Sequence, residues 1–192
     1  MSARDEILGS LRAAAAPAVD LPDLTRLSPA RYADLRERFG KSVTEVGGRF
    51  VLVGESLQAE LSRIPEFAGA RRIVSLVPGV EGNVDLTAVK DPHDLNDVDF
   101  CVIPAEFGVA ENGACWITDH GRANRAVCFL TQHLAIVVHD LVHDLHQAYE
   151  RIQLPARGFS MFLSGPSKTA DIEQALVIGA HGARSCTVLL TP

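Results

Sequence analysis

The chain has 192 residues, 47% of them hydrophobic and 22% charged, with a formal net charge of −6. This balance suits one globular unit with a sizeable core and excludes a disordered, collagen-like or low-complexity chain. The acidic charge speaks against nucleic acid as a partner, because a nucleic-acid footprint needs a basic stripe. The densest basic stretch, Arg31, Arg36, Arg38 and Lys41, is interleaved with Asp34 and Glu37 and reads as a solvated helix face. No apolar run approaches the roughly 18–20 residues that cross a bilayer. The stretch from Met1 to Leu11 carries Arg4, Asp5 and Glu6 and no apolar signal core, so the expectation is a cytoplasmic chain that does not engage a membrane. Cys101, Cys115, Cys128 and Cys186 are far apart and form no CxxC pair, which predicts buried thiols rather than a zinc or iron–sulfur site. No cofactor is expected.

In chain order, Asp5 to Ala16 reads as a helix, with Ile7, Leu8 and Leu11 on one stripe, broken by Pro17 and Pro22. A second helix is signalled by Ser28 as N-cap, Pro29 at the first position and Gly40 as the stop. Residues 1–48 are therefore expected to form a helical arm and connection, and residues 49–192 an α/β domain. From Phe50 the pattern alternates. Strands are predicted at Phe50–Val53, Ile73–Val77 and Asp99–Ile103, with a helix over Ser56–Ile64. Ala114–Thr118 and Ala126–Leu130 flank a turn-rich stretch and read as a hairpin. Leu134–Val138 is a further strand, and Asp140 is placed to cap a helix running to Arg151. Met161–Leu163 reads as a strand, Thr169–Gly179 as a helix and Cys186–Leu190 as the last strand. The predicted fold class is α/β: a mixed, mostly parallel sheet with helices on both faces.

Two loops leave strands and combine glycine with polar groups, the setting in which α/β sheets hold ligands. In Ser164-Gly165-Pro166-Ser167-Lys168-Thr169-Ala170-Asp171-Ile172-Glu173, the hydroxyls, Lys168 and a helix start would suit a phosphate or carboxylate, with Asp171 orienting the lysine or binding a substrate hydroxyl. Plain helix capping explains the same residues. The spacing is neither that of a Walker A loop nor GxGxxG. In the second loop, Ala105 to Gly113, Glu111 stands among small apolar residues and is a candidate acid–base group. Gly108, Asn112 and Gly113 would let backbone approach a ligand, and an ordinary turn with an exposed glutamate is the alternative. His139, His143 and His146 would share a face if they lay on one helix, but the sequence offers no fourth ligand and no HEXXH, so no metal is expected. The His181-Gly182 turn is placed to close on the first loop.

These two loops carry a resemblance to the LUD-domain family of the lactate utilization protein C type. It rests on Gly108-Val109-Ala110-Glu111-Asn112-Gly113, on Leu134 to Val138, and most specifically on Ser164 to Glu173 followed by Leu176 to Arg184 with its His181-Gly182 turn. The family block runs SGPS-[KR]-TADIE and is complete here. Many members have threonine where this chain has Asn112. The resemblance implies a fold similar to glucosamine-6-phosphate deaminase, ribose-5-phosphate isomerase and the CoA transferases. It further implies service in oxidation of L-lactate to pyruvate beside iron–sulfur partner proteins, which would carry the electrons.

The leading expectation is therefore an accessory subunit of a lactate-utilization system. It would bind a small anionic metabolite between the two loops, through Gly108, Asn112, Gly113, Ser164, Gly165, Ser167, Lys168, Thr169 and His181, with Glu111 and Asp171 as catalytic or orienting groups. A stand-alone enzyme of the sugar-phosphate isomerase or CoA-transferase type and a scaffold protein with an inactive pocket are the alternatives. The chain is also a candidate homo-oligomer.

Overall fold

Apolar residues that alternate between two buried faces build the centre of the molecule. The computed structural model describes residues 2–16, 19–20, 22–23, 28–118, 122–154, 158–169 and 176–192. It begins with α1 (Ala3–Ala13), α2 (Leu35–Glu45), β1 (Arg49–Leu52), α3 (Leu57–Ser62), α4 (Pro65–Ala68) and β2 (Ile73–Ser75). Two 3-10 turns, Leu86–Ala88 and Pro92–Leu95, lead to β3 (Phe100–Pro104), β4 (Phe107–Val109), β5 (Ala114–Thr118), α5 (Arg122–Leu130), β6 (His133–Val138) and β7 (Leu141–Val142). The chain ends with α6 (Leu145–Arg151), β8 (Ser160–Leu163), β9 (Lys168–Thr169), β10 (Val177–Ile178) and β11 (Ser185–Leu190).

The central sheet has the order β1-β11-β6-β3-β2, and every neighbouring pair in it is parallel. Side chains alternate across its pleat. Phe100, Val102, Ala135, Val137 and Leu189 face Leu61, Ile64 and Phe67 of the α3–α4 segment. Cys101, Ile103, Ile136, Val138, Val188 and Leu190 face the other way, onto Phe39 and Val43 of α2 and Val127 and Cys128 of α5. Both faces are thus covered, which is why these strands are apolar throughout. The expected α/β class, with a mostly parallel sheet and helices on both faces, is the observed one.

Several local expectations are corrected. The antiparallel excursion is a separate sheet, of order β7-β4-β5-β8, that grows from the carboxyl ends of β3 and β6. Ala105 N–H donates to Val137 O at 2.8 Å and Gly108 N–H to Asp140 O at 2.8 Å, which carries the two chains from one sheet into the other. Residues 126–130, read as a strand, belong to α5. Val127 and Cys128 are buried while Phe129 is 46% exposed, a helical rather than an alternating pattern, and a five-residue apolar run is compatible with either until its neighbours are placed.

The second helix starts later than Ser28. Its N-cap is Asp34, whose carboxylate accepts the Glu37 amide at 2.9 Å. Gly40 lies inside it rather than ending it, because a Cβ there would stand 2.5 Å from Cδ1 of Phe50. The glycine is a point of close helix–strand contact. Through Phe39 and Val43, α2 shares the core of the sheet.

Asp144, not Asp140, caps α6, accepting the Gln147 amide at 2.9 Å. Residues 141–142 are held in the β7–β4 pairing, and Asp140 instead binds Leu141 N–H and Arg151. The helix expected over Thr169–Gly179 is overturned at both ends. Thr169 pairs with Val177 and Lys168 with Ile178 in an antiparallel ladder, and residues 170–175 lie outside the described set. No helix among the described residues is long and apolar enough to cross a membrane.

Candidate functional site

The segment after β8 is fixed by three separate parts of the chain. Ser164 Oγ donates to Asn112 O at 3.0 Å. Gly165 adopts φ +71°, and a Cβ there would stand 2.6 Å from Val46 O, so glycine is required by both conformation and space. Ser167 N–H donates to Ala183 O, and Gly179 N–H donates to Ser167 O, each at 2.9 Å. Lys168 Nζ donates to Val46 O at the C-terminal end of α2, where the helix dipole favours a cation. An ammonium has three donors, so two remain for another acceptor.

These contacts close a cavity of about 340 Å³. Its apolar wall includes Cys128, Leu134 and Met161, and its polar lining includes Ser167, Lys168 and His181. Ser164, Gly165 and Gly182 also belong to its wall. The His181-Gly182 turn and the Ser164–Lys168 loop therefore meet, as the sequence anticipated. The cavity lies at the amino ends of β6 and β11, beside Leu134 and Ala183, and not at the carboxyl edge where open α/β sheets most often bind ligands.

The second loop reaches this cavity only through backbone. Its link is the Asn112 carbonyl on Ser164. The Asn112 side chain accepts Ala114 N–H at 3.1 Å and shapes the turn. The Glu111 carboxylate accepts the Leu145 amide at 3.1 Å, and Glu111 O receives Arg38 Nη2 at 3.0 Å. Glu111 is exposed and is not part of the cavity wall. A Cβ on Gly108 would stand 2.6 Å from Phe39 Cζ, and one on Gly113 2.8 Å from Val43 N; both serve the packing of α2. Thr169 is engaged in the β9–β10 ladder and is also outside the wall. Asp171 lies outside the described residues. The structure thus brings together Ser164, Gly165, Ser167, Lys168 and His181, with Asn112 reaching them only through its carbonyl on Ser164, and it leaves Gly108, Glu111, Gly113 and Thr169 outside the wall.

Cys128, Leu134 and Met161 were not anticipated as wall residues. Cys128 faces the cavity because its segment is helical, and an apolar run by itself does not carry that information. Burial pushes its thiol up to about 11. Burial pushes Cys186 up to about 12, partly offset by the nearby Lys168 charge.

The three spaced histidines do not share a helix. His139 follows β6, His143 precedes α6 and His146 lies within it. His143 Nδ1 accepts Tyr32 N–H at 3.0 Å, and the two rings stack at 6.1 Å. Next to it, Asp144 is 2% exposed, with Arg31 Nη1 3.7 Å from its Oδ2. Among the described residues, no group of three or more His, Cys, Asp or Glu side chains is placed to hold a metal ion.

Sequence comparison adds that residues 68–191 match the LUD domain. The chain belongs to the LUD-domain family. The LUD match covers four of the five central strands, the second sheet and the cavity. Lactate utilization protein C of Bacillus pumilus (strain SAFR-032) is 30% identical over 100 residues, covering 47% of this chain and 41% of that protein. Lactate utilization protein C of Halalkalibacterium halodurans is 33% identical over 95 residues, covering 45% of this chain and 41% of that protein. The matched part thus spans less than half the length of these curated relatives. A solved structure of a DUF162 family protein from Deinococcus radiodurans superposes with a TM-score of 0.65 at 16% identity, covering 85% of this chain and all of that one. That likeness establishes the fold.

Proposed function

We propose that this LUD-domain chain serves lactate utilization as an accessory, ligand-binding component, and that its cavity holds a small anionic metabolite. The observation that carries the reading is the meeting of the Ser164–Lys168 loop and the His181-Gly182 turn around one cavity. Both segments lie within residues 68–191, the part of the chain that matches the LUD domain. Lys168 supplies the cation, Ser167 a hydroxyl and His181 a third polar group, over an apolar wall that suits a short carbon chain. The anion is a carboxylate such as lactate or pyruvate, and iron–sulfur partner proteins carry the electrons. Glu111 is assigned no chemical step, since it lies outside the cavity wall and its carboxylate accepts the Leu145 amide instead.

Thermal unfolding and calorimetry against L-lactate, pyruvate, inorganic phosphate, a phosphosugar and an acyl-CoA test the reading. A ligand at 100 times its Kd adds about 2.7 kcal/mol of stability. Stabilisation by lactate or pyruvate, weakened by about 1.5–3 kcal/mol in Lys168→Met, is the expected result. Turnover of the phosphosugar or acyl-CoA would instead make the chain a stand-alone enzyme. Absence of any stabilisation, together with no iron–sulfur protein recovered with the chain from lactate-grown host cells, would leave the scaffold reading.

A further inference from the structure

A second cleft, of about 240 Å³, opens at the other edge of the central sheet. It is smaller than the roughly 300–1,000 Å³ of sites for drug-sized ligands, so its occupant is small. Glu106 follows the carboxyl end of β3, and Asp140 follows that of the adjacent β6, the edge at which α/β sheets characteristically bind ligands. The lining includes Glu106, Phe107, Trp116, Thr118 and Arg151.

Two opposite charges line this cleft without pairing with each other. Arg151 Nη2 donates to Asp140 Oδ2 at 2.6 Å, and its guanidinium lies 4.9 Å over the Phe107 ring. Both contacts fix the plane of the group and leave Nη1 and Nε for a planar acceptor. Glu106 is held through its backbone N–H on Trp116 O at 3.0 Å and through Thr118 Oγ1, which donates to Oε1 at 3.0 Å. Its Oε2 is left for a donor. Asp140 already balances the charge of Arg151, and Glu106 adds a negative excess, so a simple anion meets net repulsion, while a simple cation leaves the Nη1 and Nε donors of Arg151 unused. A ligand that carries both charges answers each of them.

We propose that this cleft binds a small zwitterion of the α-amino-acid class, its carboxylate on Arg151 and its ammonium on Glu106, over the Phe107 and Trp116 side chains. The site is distinct from the cavity at the amino edge and does not depend on the lactate reading.

Trp116 is the chain's single tryptophan and part of the lining, so its fluorescence reports occupancy. The full chain is titrated with L-alanine, with L-lactate (hydroxyl in place of ammonium) and with ethylamine (no carboxylate), and calorimetry is run in parallel. A saturable signal with alanine is expected, with both analogues at least about tenfold weaker. Arg151→Gln and Glu106→Gln should each weaken alanine at least about tenfold, and Thr118→Val less, with circular dichroism confirming that each variant is folded. Neither signal nor heat with alanine, lactate binding as tightly as alanine with the same dependence on Arg151, or unchanged alanine affinity in both folded charge variants would each overturn the proposal.

Discussion

The Glu111 carboxylate closes the first turn of α6 from outside that helix, accepting the Leu145 amide at 3.1 Å across 34 residues of sequence. Asp144 closes the same turn from within by accepting the Gln147 amide. Two carboxylates near one helix start also face the positive end of its dipole. Removing the outer one in Glu111→Ala should cost about 1 kcal/mol, or about 2–4 °C in Tm for a chain of this size. Glu111→Gln keeps an acceptor and should lose less. Thermal unfolding of both variants checks this, and calorimetry with the cavity's ligand should show no change in affinity.

Gly113 adopts φ +69°, and a Cβ there would press on the α2 backbone, 2.8 Å from Val43 N. Gly113→Ala therefore combines left-handed strain with overpacking of a helix on a strand turn. The expected loss is about 2–4 kcal/mol. Urea denaturation should show a lower midpoint with an unchanged slope. A variant as stable as the natural chain would mean that α2 is free to shift.

Asp99 joins the entrance of β2 to that of β3, its Oδ2 accepting the Arg71 amide at 2.8 Å and the Arg72 amide at 2.9 Å. The Arg72 amide, then the Arg71 amide, hold its carboxyl below the ordinary aspartate value despite some desolvation. The folded pKa is thus lower than the unfolded one. The resulting stability is complete above the unfolded value of roughly 4 and is lost as pH falls through the folded value. Acid titration of folding should show Asp99→Asn losing less stability than the natural chain below about pH 4. At neutral pH the variant should already be weaker by about 1 kcal/mol.

All four thiols are buried, and desolvation raises each of them: Cys101 and Cys115 well above the ordinary range, Cys128 to about 11 and Cys186 to about 12. The thiolate is the reactive form, so it is scarce at pH 8 in the folded chain. Alkylation by iodoacetamide at that pH should leave the native protein almost unlabelled and modify all four cysteines in denaturant. Rapid native labelling of Cys128 would show that the cavity admits the reagent and leaves the thiol ionisable.

The two-faced strands were readable because every second residue of Leu134–Val138 or Phe100–Ile103 must be apolar on each side of a covered sheet, a constraint written within a few residues. The turn at Gly165 and the return at His181-Gly182 were readable because glycine and serine set local backbone geometry. Ala126–Leu130 was misread because five apolar residues satisfy a strand and a helix turn equally, and α5 is chosen by where Val127 and Cys128 are buried. Lys168 finds Val46 O across 122 residues, and Glu111 turns to α6 rather than to the cavity. Short windows of sequence set propensity and alternation, but the partner of a charged side chain depends on which distant segment packing brings beside it. For that reason the strands of the central sheet and the two loops were legible in the chain itself, while α5, the β9–β10 ladder and the separation of Glu111 from Lys168 emerged only from the folded molecule.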